Sequence, residues 1–293
     1  MKNFVSIASI TLLILSSTSA VSLSPSTAGS SPNDGSDGSK GGSLIAEIAG
    51  PSNWAQVWGV AYHDDHNMLY VSSKFDDELA YGAYSGGETV TWTVFDDVED
   101  VCGLGCYQDD LLFALTWSNP LHPVPYYLYT WNLDASGVPL LPADLYELGT
   151  PFTGSLGGCE WDGEYLWIAD NYINSNIYKY DVSTHSVMSN WTYSESGGIG
   201  IACAWYAGDL RIWISDFYSD YKLVEHSETG VLTGLSYSIR TNPLDIAYKY
   251  DMNFDGPGFF VGNWITSKVD FYDHDPMILE SSTWGCIKAD FGN

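Results

Sequence analysis

The stretch "CEWDGEYLWIADNYINSNIYKYDVSTHSV" (159–187) returns in weaker form as "CAWYAGDLRIWISDFYSDYKLVEHSETGVL" (203–232). An internal repeat constrains a fold more than composition does. Each copy is one supersecondary unit that can bury its apolar face only against a neighbour. Five copies align on a short aromatic and β-branched run: "MLYVSS" (68–73), "LLFALTW" (111–117), "YLWIADNY" (165–172), "RIWISDFY" (211–218) and "GFFVGNW" (258–264). Their anchors are Tyr70, Phe113, Trp167, Trp213 and Phe260, spaced by 43, 54, 46 and 47 residues. The long second interval carries an insertion, "SNPLHPVPYY" (118–127).

Each unit has the same order. A Gly/Ala-rich segment leads to a turn, the anchor strand, a polar turn, a Tyr-rich strand such as "NIYKYDV" (176–182), another turn and a last strand. Four short strands per 40–50 residues is the pattern of a β-propeller blade. No window carries a 3.6-residue apolar face, and aromatic and β-branched residues fill the periodic segments, so the fold class is all-β.

Aligning the first segments puts Gly59, Gly158, Ala202, Asp245 and Gly285 in one slot, as crowding around a propeller axis requires of most of them. The next slot holds Val60, Cys159, Cys203, Ile246 and Cys286. Thiols sharing a slot with Val and Ile read as small buried hydrophobes rather than a metal cluster. Cys102 and Cys106 are too far apart along a straight strand to bridge.

The five copies leave "SLIAEIAG" (43–50) before them and "WGCIKADFGN" (284–293) after them. These read as the outer and innermost strands of one further blade. The expectation is therefore five complete four-stranded blades plus parts of a sixth, in a six-bladed design whose last blade is incomplete.

The N-terminus has one Lys, an apolar run from Phe4 to Leu15 and Thr18-Ser19-Ala20, the form of a secretory signal over residues 1–20. That run is too short to span a bilayer, so no membrane span is expected in the mature chain. Residues 21–42, almost entirely Ser, Gly, Pro, Asp and Thr, read as a flexible linker, leaving 43–293 for the propeller. The protein is expected to be secreted. Ten Lys and Arg against 37 Asp and Glu give a formal charge of −27, a field that repels nucleic acid and anionic membranes and favours cations or neutral ligands, or simply keeps an exported surface soluble.

The pattern "WDGEYLWIAD…IYKYDVST" resembles the bacterial extracellular propellers of the broad NHL-like, YVTN-like, streptogramin-lyase-like and glutaminyl-cyclotransferase-like group, over residues 43–293. The resemblance implies six to eight blades and a ligand at the channel mouth. It carries no catalytic residue onto this chain.

Each anchor strand ends on a short polar residue: Ser73, Thr116, Asp170, Asp216 or Asn263. Large rings follow: Phe75, Trp117, Tyr172, Phe217 and Trp264. Hydrogen-bonding groups beside aromatic faces suit a glycan or another neutral polar ligand, with a protein ligand as the other partner. The same short residues also start turns by bonding local backbone. The ligand set read here is Asp170, Tyr172, Asp216, Phe217, Asn263, Trp264 and Trp117, in a recognition or scaffold module. The alternative is a lyase or glycoside hydrolase with carboxylates converging on one face, for which Glu160 is the unpartnered candidate. "HDDH" (63–66) and "DHD" (273–275) read as polar hairpins rather than metal sites. "DMNFDG" (251–256) matches half of a calcium loop, with Asp251, Asn253 and Asp255 as ligands, or an ordinary Asp-Gly hairpin.

Overall fold

The computed structural model describes residues 42–95, 98–117, 126–152, 155–170, 175–193, 197–206, 208–217, 221–239, 242–250 and 253–274. The signal and nearly all of the linker lie outside them, as do Tyr172, Asp251 and residues 284–293. Among the described residues there is no helix long and apolar enough to cross a membrane.

After β1 (Leu44–Ala49), the chain builds four-stranded antiparallel sheets in succession. The first blade is β2 (Val60–His63), β3 (Met68–Ser73), β4 (Glu78–Ala83) and β5 (Thr93–Phe95). The second is β6 (Val101–Cys106), β7 (Leu111–Thr116), β8 (Tyr126–Asn132) and β9 (Asp144–Leu148). The third is β10 (Leu156–Trp161), β11 (Leu166–Asp170), β12 (Asn176–Asp181) and β13 (Ser186–Thr192). The fourth is β14 (Gly198–Tyr206), β15 (Asp209–Asp216), β16 (Lys222–Ser227) and β17 (Leu232–Ser238). The fifth is β18 (Pro243–Lys249), β19 (Gly258–Asn263), β20 (Lys268–Asp273) and, from the other end of the chain, β1.

That last pairing corrects the strand count. Residues 43–50 do not begin a sixth blade. β1 runs antiparallel to β20, with Ile48 opposite Val269 and Glu47 opposite Asp270, and so supplies the outer strand of the fifth. The reason is edge chemistry: β20 would otherwise present a free row of backbone donors and acceptors. The described residues form a five-bladed ring.

The repeat anchors lie in the second strands, buried to 1% exposure or less. Each fills the seam between its own blade and the next. Tyr70 packs with Leu104 and Leu112, Phe113 with Cys159 and Ile168, Trp167 with Cys203 and Ile212, Trp213 with Ile246 and Phe259, and Phe260 with Tyr62 and Tyr84. Burying such a side chain contributes roughly 1.5–3 kcal/mol. A seam, unlike a strand, recurs once per blade, which explains the period of the anchors.

Four thiols, Cys102, Cys106, Cys159 and Cys203, are free and buried. Cys159 and Cys203 lie in the inner strands as small apolar groups, as the repeat alignment implies.

Candidate functional site

Because each strand reverses the last, the links between first and second strands emerge on one face of the ring. The ends of the second strands emerge on the other. We call these the turn face and the slot face.

Between them the axis is closed by a carboxylate. Asp245, from the small-residue slot of β18, is 1% exposed. Its Oδ2 accepts the Val60 amide at 3.2 Å and the Leu104 amide at 3.0 Å, and the amides of Ile201 and Ile246 also face it. One side chain thus ties together inner strands of the first, second, fourth and fifth blades. Burial pushes its pKa well above the ordinary carboxylate value, against the downward pull of the amides. The neighbouring strands leave no space beside it: a methyl added at Gly158 would sit 2.3 Å from Asp245 Oδ1. A second stitch repeats in two blades. Ser72 Oγ accepts the Gly59 amide and donates to Cys102 O, while Ser215 Oγ accepts the Gly200 amide and donates to Leu244 O.

Glu160 also lies inside. Its Oε1 accepts the amides of Cys106 at 3.0 Å and Trp161 at 3.1 Å, and burial raises its pKa well above the usual range. It pairs across from Trp167, three residues from Asp170 at the other end of β11, a separation of roughly 10 Å along the strand. Both carboxylates are in packed surroundings.

On the slot face the structure assembles a cluster the sequence reading only half contained. Trp58, just before β2, meets Phe75 edge-on at 5.7 Å and Trp117 edge-on at 6.3 Å between ring centroids. Lys74 Nζ lies 2.9 Å above the Trp117 ring and 5.0 Å from that of Trp58. Burial pulls the Lys74 pKa down. Phe75 stands 63% exposed. Farther round the ring, Phe217 and Trp264 pair at 5.3 Å. The expected rings therefore gather in two groups, with Trp117 in one and Phe217 and Trp264 in the other. Trp58 and Lys74 were missed because they fall outside the slots that the repeat aligns. The short polar residues are deeper than the rings. Asp170, Asp216 and Asn263 are all buried. Asn263 donates to Asp270 and accepts the Ile265 amide, which is the turn-starting role, while Thr116 Oγ1 accepts the Tyr127 amide of the neighbouring strand.

The turn face is stoppered by Tyr250. Its amide donates to Asp64 Oδ1, its hydroxyl donates to Cys203 O, and its ring meets Tyr107 edge-on. Of the residues expected to hold calcium, the described ones have other partners. Asp255 Oδ2 accepts the Tyr84 hydroxyl at 2.7 Å and the Gly87 amide at 2.9 Å, latching the fifth blade to the first. Asn253 O, together with Gly256 O, accepts from Lys249 Nζ at 2.6 and 3.0 Å, so an internal cation sits in the turn. The rings of His63 and His66 lie 4.3 Å from each other. His274 is buried, with Nδ1 2.9 Å from the Tyr248 hydroxyl.

The chain is similar in fold to the glutaminyl cyclase of Myxococcus xanthus, whose crystal structure matches with a TM-score of 0.53 at 15% identity, over 79% of this chain and 95% of that one. No protein-family model and no curated protein matches the sequence.

Proposed function

We propose that this protein is an exported recognition module that binds a neutral polar ligand of the glycan class on the slot face of a closed five-bladed propeller. The observation that carries this reading is the cluster of Trp58, Phe75 and Trp117 around Lys74, at a surface whose polar strand ends lie just beneath. Aromatic faces stack on the apolar side of sugar rings, and a lysine donor orients hydroxyls. With Asp245 filling the axis, the ligand rests on the rim rather than entering a channel. The charge of −27 disfavours polyanions. Export follows from the signal-like residues 1–20, and a mature N-terminus at Val21 in secreted protein tests it. The enzyme alternative is not favoured, since Glu160 is buried and its Oε1 accepts two backbone amides.

Phe75 and Trp264, both exposed on the slot face, give a clean test. Stacking contributes about 0.5–1.5 kcal/mol per ring, so Phe75→Ala with Trp264→Ala weakens retention on immobilised polysaccharides by roughly tenfold while the melting temperature stays put. Undiminished retention would sink the proposal. Loss of binding together with a large drop in melting temperature would assign the rings to folding alone.

A further inference from the structure

We propose that His63, His66 and Asp110 form a binding site for one divalent transition-metal ion of the zinc class, clipping the first blade to the second on the turn face. One potential ligand atom from each lies within 4.8 Å of the other two. His63 ends β2, His66 stands in the following turn, and Asp110 comes from the equivalent turn of the next blade. His66 Nε2 and Asp110 Oδ1 are 3.0 Å apart, near the roughly 3.3 Å edge of a tetrahedron with metal–ligand bonds of about 2.0–2.1 Å.

The surroundings of His63 point to a ligand independently of this clustering. Its Nε2 lies 3.0 Å from the carbonyl oxygen of Asp109. A carbonyl only accepts, so Nε2 carries the proton and Nδ1 of the neutral ring keeps its lone pair. That Nδ1 is buried without a hydrogen-bond partner, on a residue of 0% exposure. A ring whose other nitrogen donates to a backbone carbonyl is the usual posture of a metal-ligating histidine. The supporting residues are held in turn. Trp161 Nε1 donates to Asp109 Oδ2 at 3.0 Å, the Leu133 amide donates to Asp110 O at 2.8 Å, and Gly137 packs directly on His66. The mouth of the site is accessible, since His66 is half-buried and Asp110 exposed.

Two imidazoles and one carboxylate select a borderline ion; calcium and magnesium need a cage of oxygens. A fourth position is left for water or a ligand group. The site lies on the face opposite the aromatic cluster, so it stands or falls separately from the glycan reading.

The test uses untagged purified protein, stripped with a chelator and titrated with zinc near neutral pH by calorimetry, with the visible spectrum of cobalt as a report on geometry. One zinc per chain is expected, with a tetrahedral cobalt spectrum that zinc bleaches and millimolar calcium does not. His66→Gln and Asp110→Asn, both at the accessible side, should each weaken zinc by about tenfold or more without changing the metal-free melting temperature. His63→Gln is the harsher variant, being buried, and the conclusion does not depend on its folding. Absence of saturable binding overturns the site. So does zinc binding that both accessible variants leave intact, which would place the ion on other side chains.

Discussion

Gly158→Ala tests the closed axis directly. The added methyl would sit 2.3 Å from Asp245 Oδ1, 2.8 Å from the Ile201 nitrogen and 2.9 Å from Gly200 Cα. Ordinary contact begins near 3.5 Å, so about 1 Å must be found. β10 cannot retreat from β14 without opening a seam, and Asp245 cannot move without straining its bonds to Val60 and Leu104. Overpacking of this kind costs about 1–3 kcal/mol, and weakening hydrogen bonds to a buried carboxylate adds roughly 1–2 kcal/mol. The sum is about 2–5 kcal/mol, a fall in melting temperature of roughly 5–15 °C for a domain of this size. Thermal unfolding by circular dichroism measures it, with Gly149→Ala as the control because nothing lies near its added methyl. Adding Asp245→Ala to Gly158→Ala removes the atom most closely struck, so the double variant loses less than the sum of the singles. It does not recover fully, since the two backbone contacts remain. A Gly158→Ala protein melting within about 1 °C of wild type would show that the axis has room, and the argument for a rim-bound ligand would fail.

Glu225, buried in β16, has its pKa raised to about 7, chiefly by burial. Its proton is therefore held more tightly in the folded state, so its contribution is full below about 4.5 and is lost as pH rises toward 7, at up to about 1.4 kcal/mol per pH unit. Glu225→Gln should flatten that slope in melts taken across this range, and an unchanged slope would rule the group out. Millimolar calcium should leave the melting temperature unchanged because Lys249 already occupies the 253–256 turn. A calcium-dependent rise, abolished by Asp251→Ala, would instead restore the calcium loop. At most one of five thiols should react with a thiol reagent in the native protein, because Cys102, Cys106, Cys159 and Cys203 are buried. Burial pushes the pKa of all four upward, away from the reactive thiolate. Rapid labelling of two or more would contradict the packing of the inner strands.

Everything that repeats was legible in the chain. Tyr70, Phe113, Trp167, Trp213 and Phe260 mark the five blades because each fills an equivalent seam, and equivalent environments select equivalent residues. The slot of Gly59, Gly158 and Ala202 was readable for the same reason, since crowding at an axis acts on every blade. What occurs once could not be read this way. The pairing of β1 with β20 joins segments more than 200 residues apart, and an outer strand looks alike whichever blade it completes. Asp245 shares its slot with glycines and alanine, and only the ring brings four blades' amides around it. His63 and Asp110 belong to different repeats, and Lys74 reaches Trp117 across a seam. A repeat writes one blade's local chemistry into sequence several times over. Contacts between blades depend on how the ring closes, and closure is a property of the tertiary structure.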